Sequence, residues 1–217
     1  MGLTVIRPPQ VSPAEGAGLP TAALTALQAL KTAGAHFDGS ANEPFNVLIT
    51  AASGGVGLYA VQLAKLASLH VTATCGARNI ELVKSLGADE VLDYKTPEGS
   101  SLKSPSGRKY DAVIHCATGI AWSTFEPNLS GKGKVIDISS TAKAMFTSAI
   151  QKVTFSKKKL MILMLSPKLE ELKFVVELME EGKLKTVVDS RHPLEKAEEA
   201  WAKSMEGHAT GKIIVEM

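Results

Sequence analysis

Only two cysteines, Cys75 and Cys116, occur in 217 residues. That is too few for a disulfide framework or a four-thiolate zinc site, and both read as reduced thiols of an intracellular protein. Long apolar runs are lacking as well. The longest, residues 160–165, falls far short of the roughly 18 residues that a membrane span requires. Nor is there an excess of one charge: 24 Lys and Arg against 22 Asp and Glu leave +2, too even for a dedicated nucleic-acid binder. The five histidines, His36, His70, His115, His192 and His208, show no H-E-x-x-H or paired spacing, so no metal site is expected. His115 and Cys116 adjoin, but neighbours in a strand point to opposite faces. Ser53 lacks the G-x-S-x-G setting of a nucleophile elbow. The first nine residues carry neither the apolar core of a signal peptide nor the Ser/Arg-rich stretch of a transit peptide.

What is present suits one globular domain with ample core: 45% apolar residues and a mean hydropathy of +0.08. Pro8, Pro9, Pro13 and Pro20 make residues 1–20 irregular. An Ala/Leu-rich helix is expected over 21–31, followed by a polar link over 38–44. Short apolar strands then alternate with helices: strands over 45–50, 70–74, 90–94, 110–115, 134–138 and 160–165, helices over 57–67, 80–86 and 168–181, and a polar loop over 100–109. Strands buried on both faces and alternating with helices predict an α/β fold, a doubly wound parallel six-stranded sheet of Rossmann type. Strands over 185–189 and 212–216, flanking a helix over 194–205, are surplus to it.

One motif carries a mechanism. Thr50-Ala-Ala-Ser-Gly-Gly-Val-Gly57 follows the first strand and opens the first helix, with Ala52, Gly54 and Gly57 at the three positions of a G-x-G-x-x-G fingerprint. The first small residue permits the tight turn, Gly54 lets backbone approach a pyrophosphate, and Gly57 lets helix sit close to strand. The helix N-terminus offers N–H groups and a positive dipole end to the phosphates.

The second strand selects the dinucleotide. An NAD site wants Asp or Glu about 20 residues beyond the glycines. Gly76 stands there, within Thr74-Cys-Gly-Ala-Arg-Asn79. No acid is present to repel a 2′-phosphate, and Arg78 is suited to pair with one. NADPH is therefore expected over NADH. Cys75 beside Arg78 is weighed as a reactive thiol against a small buried residue. Lys157, Lys158 and Lys159 are weighed as a peripheral contact with an anionic membrane surface against a solvated strand end.

The segment 51–65, Ala-Ala-Ser-Gly-Gly-Val-Gly-Leu-Tyr-Ala-Val-Gln-Leu-Ala-Lys, resembles the cofactor loop of the medium-chain dehydrogenase/reductase superfamily, quinone oxidoreductase branch. Residues 18–30, 86–94 and 208–216 extend that resemblance essentially end to end, and residues 72–79 and 103–107 are similar to its plant chloroplast-envelope members. The resemblance implies a zinc-independent, NADPH-dependent reductase of quinones or of the C=C bond of α,β-unsaturated carbonyls, located in the chloroplast at the envelope, with a cytoplasmic location as the alternative. It implies pyrophosphate contacts at Ser53, Gly54, Gly55, Val56 and Gly57. Around the adenosine phosphate it implies Thr74, Gly76, Arg78, Asn79 and Tyr94, the last weighed against a mere strand-end packing residue. Beside the ribose and nicotinamide it implies Cys116, Ala117, Thr118 and Ile138. No proton donor is identified.

Members of the branch begin with a GroES-like catalytic domain that walls the substrate cleft. By this resemblance residues 1–20 are its remnant, 21–184 the NADP(H)-binding domain and 185–217 a return to the catalytic domain. Impaired turnover with intact cofactor binding is expected, together with self-association through the unpaired tail strands. The alternative function is a non-catalytic NADP(H)-binding module, a redox sensor or assembly partner.

Overall fold

The computed structural model describes residues 3–38, 45–139 and 141–217. Beyond Asp38, the expected polar link lies outside them.

The first departure from expectation comes early. Residues 1–20 are not wholly irregular, because α1 (Pro13–Gly18) forms behind a reciprocal cap: Ser12 Oγ accepts from Glu15 N, and Ser12 N donates to Glu15 Oε2. Such a box satisfies two orphan N–H groups, and Pro13 suits the first turn. Next, α2 (Pro20–Ala33) buries Leu24, Leu27, Leu30 and its alanines, and stops at Gly34 with φ +110, the left-handed closure that glycine adopts without strain.

The alternating part follows as β1 (Asn46–Thr50), α3 (Gly57–Leu66), β2 (His70–Cys75), α4 (Ile80–Ser85) and β3 (Glu90–Asp93). It continues with α5 (Pro97–Ser100), β4 (Tyr110–His115), α6 (Trp122–Phe125), β5 (Leu129–Asp137), α7 (Ala142–Val153), β6 (Lys159–Ile162) and α8 (Leu169–Glu180). The six strands pair in parallel in the order β3-β2-β1-β4-β5-β6. Strand periodicity divides the core. Val47, Ile49, Ala112, Ile114 and Ile136 pack with α2, α3 and α8 on one face, while Leu48, Val113, Val135 and Leu160 pack with Phe125 and Ala144 on the other. Across the first face, Lys31 and Gln28 of α2 bind Glu171 of α8 at 2.9 and 2.6 Å.

The surplus tail is β7 (Val188–Pro193), α9 (Ala197–Met205) and β8 (Lys212–Glu216). β7 and β8 pair with each other in parallel as a separate two-stranded sheet, so each has a partner. The seventh strand lies later than the apolar run 185–189 that suggested it, over polar, partly exposed residues. The fifth starts at Leu129, ahead of the expected 134. Helices α5, α6 and α7 were not anticipated. α7 turns only Ala144, Ser148 and Gln151 inward and leaves its apolar stripe, Met145, Phe146, Ile150 and Val153, exposed.

The strand order reverses between β1 and β4, which makes the carboxyl ends of β1, β2 and β4 the place where a fold of this kind admits a ligand.

Candidate cofactor site

The loop after β1 is determined by close contacts. Ala51 takes φ +49, and Gly54 N closes a turn onto Ala51 O at 2.9 Å. A Cβ built on Gly57 would stand 2.3 Å from Ala51 O and 2.7 Å from Ala52 Cα, so only glycine allows α3 to start this close to β1. Ala52 N donates to Thr74 O at 2.8 Å, which fastens the loop to β2. No side chain caps α3. Its first N–H groups therefore lack a side-chain acceptor, and an anion fits such a helix end. Ser53, Gly54, Gly55, Val56 and Gly57 are brought together here, and the cradle fits a pyrophosphate.

The loop is also held from the far end of the chain. Gly211 N donates to Ser53 O at 2.9 Å, and Gly54 and Gly211 form a parallel bridge. Gly211 has φ +95, and a Cβ there would lie 2.2 Å from Val187 O. Sequence reading missed Gly211; its place in the His208–Glu216 resemblance was the available signal.

At the end of β2, Arg78 is exposed and its Nη2 donates to the His208 carbonyl. Asn79 is buried and accepts from Thr210 Oγ1 at 3.2 Å. Tyr94 is 47% exposed, and its ring lies 3.6 Å from where a Gly76 Cβ would stand. A side-chain Cβ there would make only ordinary van der Waals contact with the ring. Thr74 is turned inward: it is buried, and its Oγ1 accepts from Ala51 N at 3.3 Å. An open pocket of about 330 Å³ is lined by Arg78, Asn79, Asp189, Lys203, Glu206, His208, Ala209 and Thr210. Asp189 is neutralised there by Lys203 at 2.5 Å and also accepts from Thr210 N at 2.7 Å. Burial works against its charge, but these partners hold the carboxyl below its usual range.

Beyond β4, Cys116, Ala117 and Thr118 follow a buried polar row formed by Thr50, His115 and Asp137, which are register partners across β1, β4 and β5. Thr50 Oγ1 lies 2.9 Å from His115 Nδ1 and accepts from Cys116 N at 3.0 Å. Asp137 Oδ1 accepts from Ser139 N and Oγ at 2.7 and 2.6 Å. Ile138 follows the last residue of β5, its N–H donating to His115 O at 3.3 Å. The His115 ring packs edge-on against Phe125 at 4.9 Å. Burial lowers the His115 pKa, with Asp137 pulling the other way. The row had one sequence signal, an acid at position 137 inside an apolar strand.

Both thiols sit where the protonated form is favoured, Cys75 buried and Cys116 partly so. Burial, aided by Asp137, pushes Cys116 up to about 12; burial, aided by Asp93, pushes Cys75 up to about 11. Cys75 is 1% exposed; the small buried role, rather than the reactive one, describes it.

Among the described residues no three His, Cys, Asp or Glu stand together where they could hold a metal, and none of their helices is long and apolar enough to cross a membrane. Lys157, Lys158 and Lys159 follow α7, whose outer surface exposes Met145, Phe146, Ile150 and Val153, with Phe155 just beyond at 90% exposure.

Comparison with known proteins places this architecture. A family model described as zinc-binding dehydrogenase matches residues 86–215. The chloroplast envelope quinone oxidoreductase homolog of Arabidopsis thaliana is 69% identical over 215 residues, 99% of this chain and 65% of that protein. The chloroplastic quinone-oxidoreductase homolog of Spinacia oleracea is 66% identical over the same shares. The solved quinone oxidoreductase of Coxiella burnetii superposes with a TM-score of 0.86 at 29% identity, over 98% of this chain and 63% of that one. The chain thus spans just under two thirds of the length of these relatives. Their chloroplast location is that of this chain, as expected, and the Rossmann-type sheet with its phosphate loop supports a nicotinamide cofactor. The family's name speaks of zinc, for which the described residues supply no donor set. With the family model matched over more than half of its length, the chain belongs to the zinc-binding dehydrogenases of the medium-chain dehydrogenase/reductase superfamily.

Proposed function

We propose that the chain is the nucleotide-binding part of a zinc-independent, NADPH-dependent oxidoreductase that reduces a quinone or the C=C bond of an α,β-unsaturated carbonyl. The observation that carries the cofactor choice is the end of β2. Gly76 stands where a ribose-binding acid would, beneath the Tyr94 ring, with Arg78 exposed beside it. A 2′-phosphate there would find a guanidinium and a phenol and no carboxylate from β2.

When bound, the nicotinamide supplies a hydride. The chain's own residues bind and orient it: the 53–57 loop holds the pyrophosphate, and the Cys116–Thr118 turn, anchored through Thr50, with Ile138 beside it, borders the nicotinamide end. The quinone oxidoreductase names of the relatives support the substrate class. NADPH oxidation against a panel of quinones and enones, beside fluorescence titration of both cofactors, tests the reading. Tight NADPH binding without turnover would favour a non-catalytic NADP(H) module instead.

The tail's separate two-stranded sheet supports the division into a nucleotide-binding unit over 21–184 and a return segment over 185–217. Open strand edges in β6 and in the β7–β8 pair support self-association. Between residues 138 and 169 there are six lysines and no Asp or Glu. That charge beside the apolar surface of α7 supports a peripheral contact with anionic lipid.

A further inference from the structure

Gln28, on α2, binds a stretch of chain 138 residues further on. That stretch, residues 163–168, leaves β6 and reaches α8 without regular structure. Gln28 Oε1 accepts from Ser166 N at 3.1 Å, and Gln28 Nε2 donates to Ser166 O at 2.6 Å. One amide thus pairs with both backbone groups of one residue, as a neighbouring strand would. The second Nε2 hydrogen goes to Oε2 of Glu171 at 2.6 Å, and Glu171 Oε1 accepts from Lys31 at 2.9 Å. Two acceptors stand at the amide nitrogen and one donor at its oxygen, so only this orientation satisfies the neighbours. Fastening α2 to α8 would account for the bond to Glu171, and Lys31 makes that link as well. It would not account for the two bonds to Ser166, which fix a segment outside every strand and helix.

The segment has a defined place on the sheet. Leu163 N donates to Asp137 O at 2.9 Å, one step past the Asp137–Ile162 register pair, and Ile138 N donates to His115 O at 3.3 Å. Cys116, Ile138 and Leu163 therefore stand side by side just beyond β4, β5 and β6. Leu163 and Leu165 pack onto the core, whereas Met164 between them is 83% exposed.

We infer that Gln28 is a positioning residue of the cofactor site, its amide holding Ser166 so that the chain leaving β6 forms a fixed wall beside Ile138 at the nicotinamide end. The inference rests on the reading of Cys116–Thr118 and Ile138 as the border of that end. Gln28 itself touches no reacting atom. Hydride transfer needs the ring held at a set distance and angle, and a wall free to move would not hold it. By the same reading the phosphates sit beyond β1 and β2, so their binding does not depend on Gln28.

The experiment compares wild type with Q28L, which keeps the bulk and removes the amide, and with K31M, which cuts the same network without touching Ser166. Hydrogen exchange with mass spectrometry follows residues 163–168. Titrations follow the affinity for adenosine 2′,5′-bisphosphate, which lacks a nicotinamide, and the emission of bound NADPH, which reports the surroundings of the ring. In Q28L, exchange over 163–168 should quicken about tenfold, the scale of one net hydrogen bond. Bound NADPH should lose the emission enhancement that wild type confers, while the bisphosphate affinity stays unchanged. K31M should match wild type in every readout. Wild-type exchange in Q28L would overturn the inference, as would faster exchange with unaltered emission. Equal losses in K31M and Q28L would also refute it, by making Gln28 a brace between helices. Q28M applies the same criteria if Q28L does not fold. Wild type that binds the bisphosphate without altering NADPH emission would remove the nicotinamide-end reading and the inference with it. Wild type that binds neither molecule would overturn the dinucleotide reading itself.

Discussion

The N–H of Gly211 donates to the carbonyl of Ser53 at 2.9 Å, so the residue that leads into the chain's last strand braces the loop after β1. The contact joins residues separated by almost the whole sheet in sequence. It means that the phosphate loop is not shaped by its glycines alone.

Gly211→Ala tests this brace. With φ +95 and Val187 O 2.2 Å from the added Cβ, alanine should cost about 1–3 kcal/mol in backbone strain. Urea unfolding should show that loss, and titration should show weaker binding of both cofactors. Wild-type stability would mean that the tail adapts freely and does not hold the loop.

Arg78→Ala should weaken NADPH by about 1–3 kcal/mol, the range for a hydrogen bond to a charged group, and leave NADH nearly unchanged. The release of the His208 carbonyl from Arg78 lies at the exposed surface and should not alter stability measurably. Equal losses for both cofactors would place the guanidinium away from the 2′-phosphate.

His115 gives a pH dependence with a definite sign. Burial holds its folded pKa below the ordinary 6.5, so the folded state keeps the ring neutral while the unfolded chain protonates. More protons bind to the unfolded chain, and stability falls as pH drops below about 6.5. His115→Gln should flatten that part of the curve. The steeper loss at lower pH should persist, because Asp89, Glu90, Glu171 and Asp189, all held below their usual range, are protonated there. Chemical denaturation between pH 8 and 4 distinguishes the two contributions. An identical slope above the carboxylate range in the variant would refute the assignment.

Neither thiol should be alkylated readily in the native protein. With Cys116 raised to about 12 and Cys75 to about 11, little thiolate exists at neutral pH. Iodoacetamide followed by mass spectrometry should label both only after denaturant is added. Fast native labelling of Cys75 would restore the reactive-thiol reading.

Vesicle co-sedimentation addresses the α7 surface. Anionic vesicles should retain the protein and neutral ones should not, and K157Q/K158Q/K159Q should weaken retention by tenfold or more, each charge being worth about 1 kcal/mol near such a surface. Equal binding to neutral vesicles, or light scattering that shows the same residues buried between two copies, would assign the patch otherwise.

The sequence alone determined the elements whose signal is local. The β1–loop–α3 unit is legible because Gly54 and Gly57 meet backbone constraints a few residues away, and Gly34 ends α2 for an equally local reason. The alternation of apolar runs set the number of strands in the main sheet, since strands buried on both faces must be covered by the helices between them. What only the tertiary structure decided depends on residues distant in sequence. Thr74, expected at the adenosine phosphate, has its hydroxyl placed by the neighbouring loop, accepting from Ala51 N while its own O–H stays available to donate. α7 turns its apolar stripe outward, because its inner face closes on Ser148 and Gln151, the latter accepting from Leu160 N at 2.6 Å. The Thr50–His115–Asp137 row exists only because β1, β4 and β5 lie side by side in that register. Gly211 and Lys212 reach the loop only once the tail has folded back over it. Backbone conformation answers to near neighbours, whereas the partner of a buried polar group is chosen by packing that no short stretch of sequence contains.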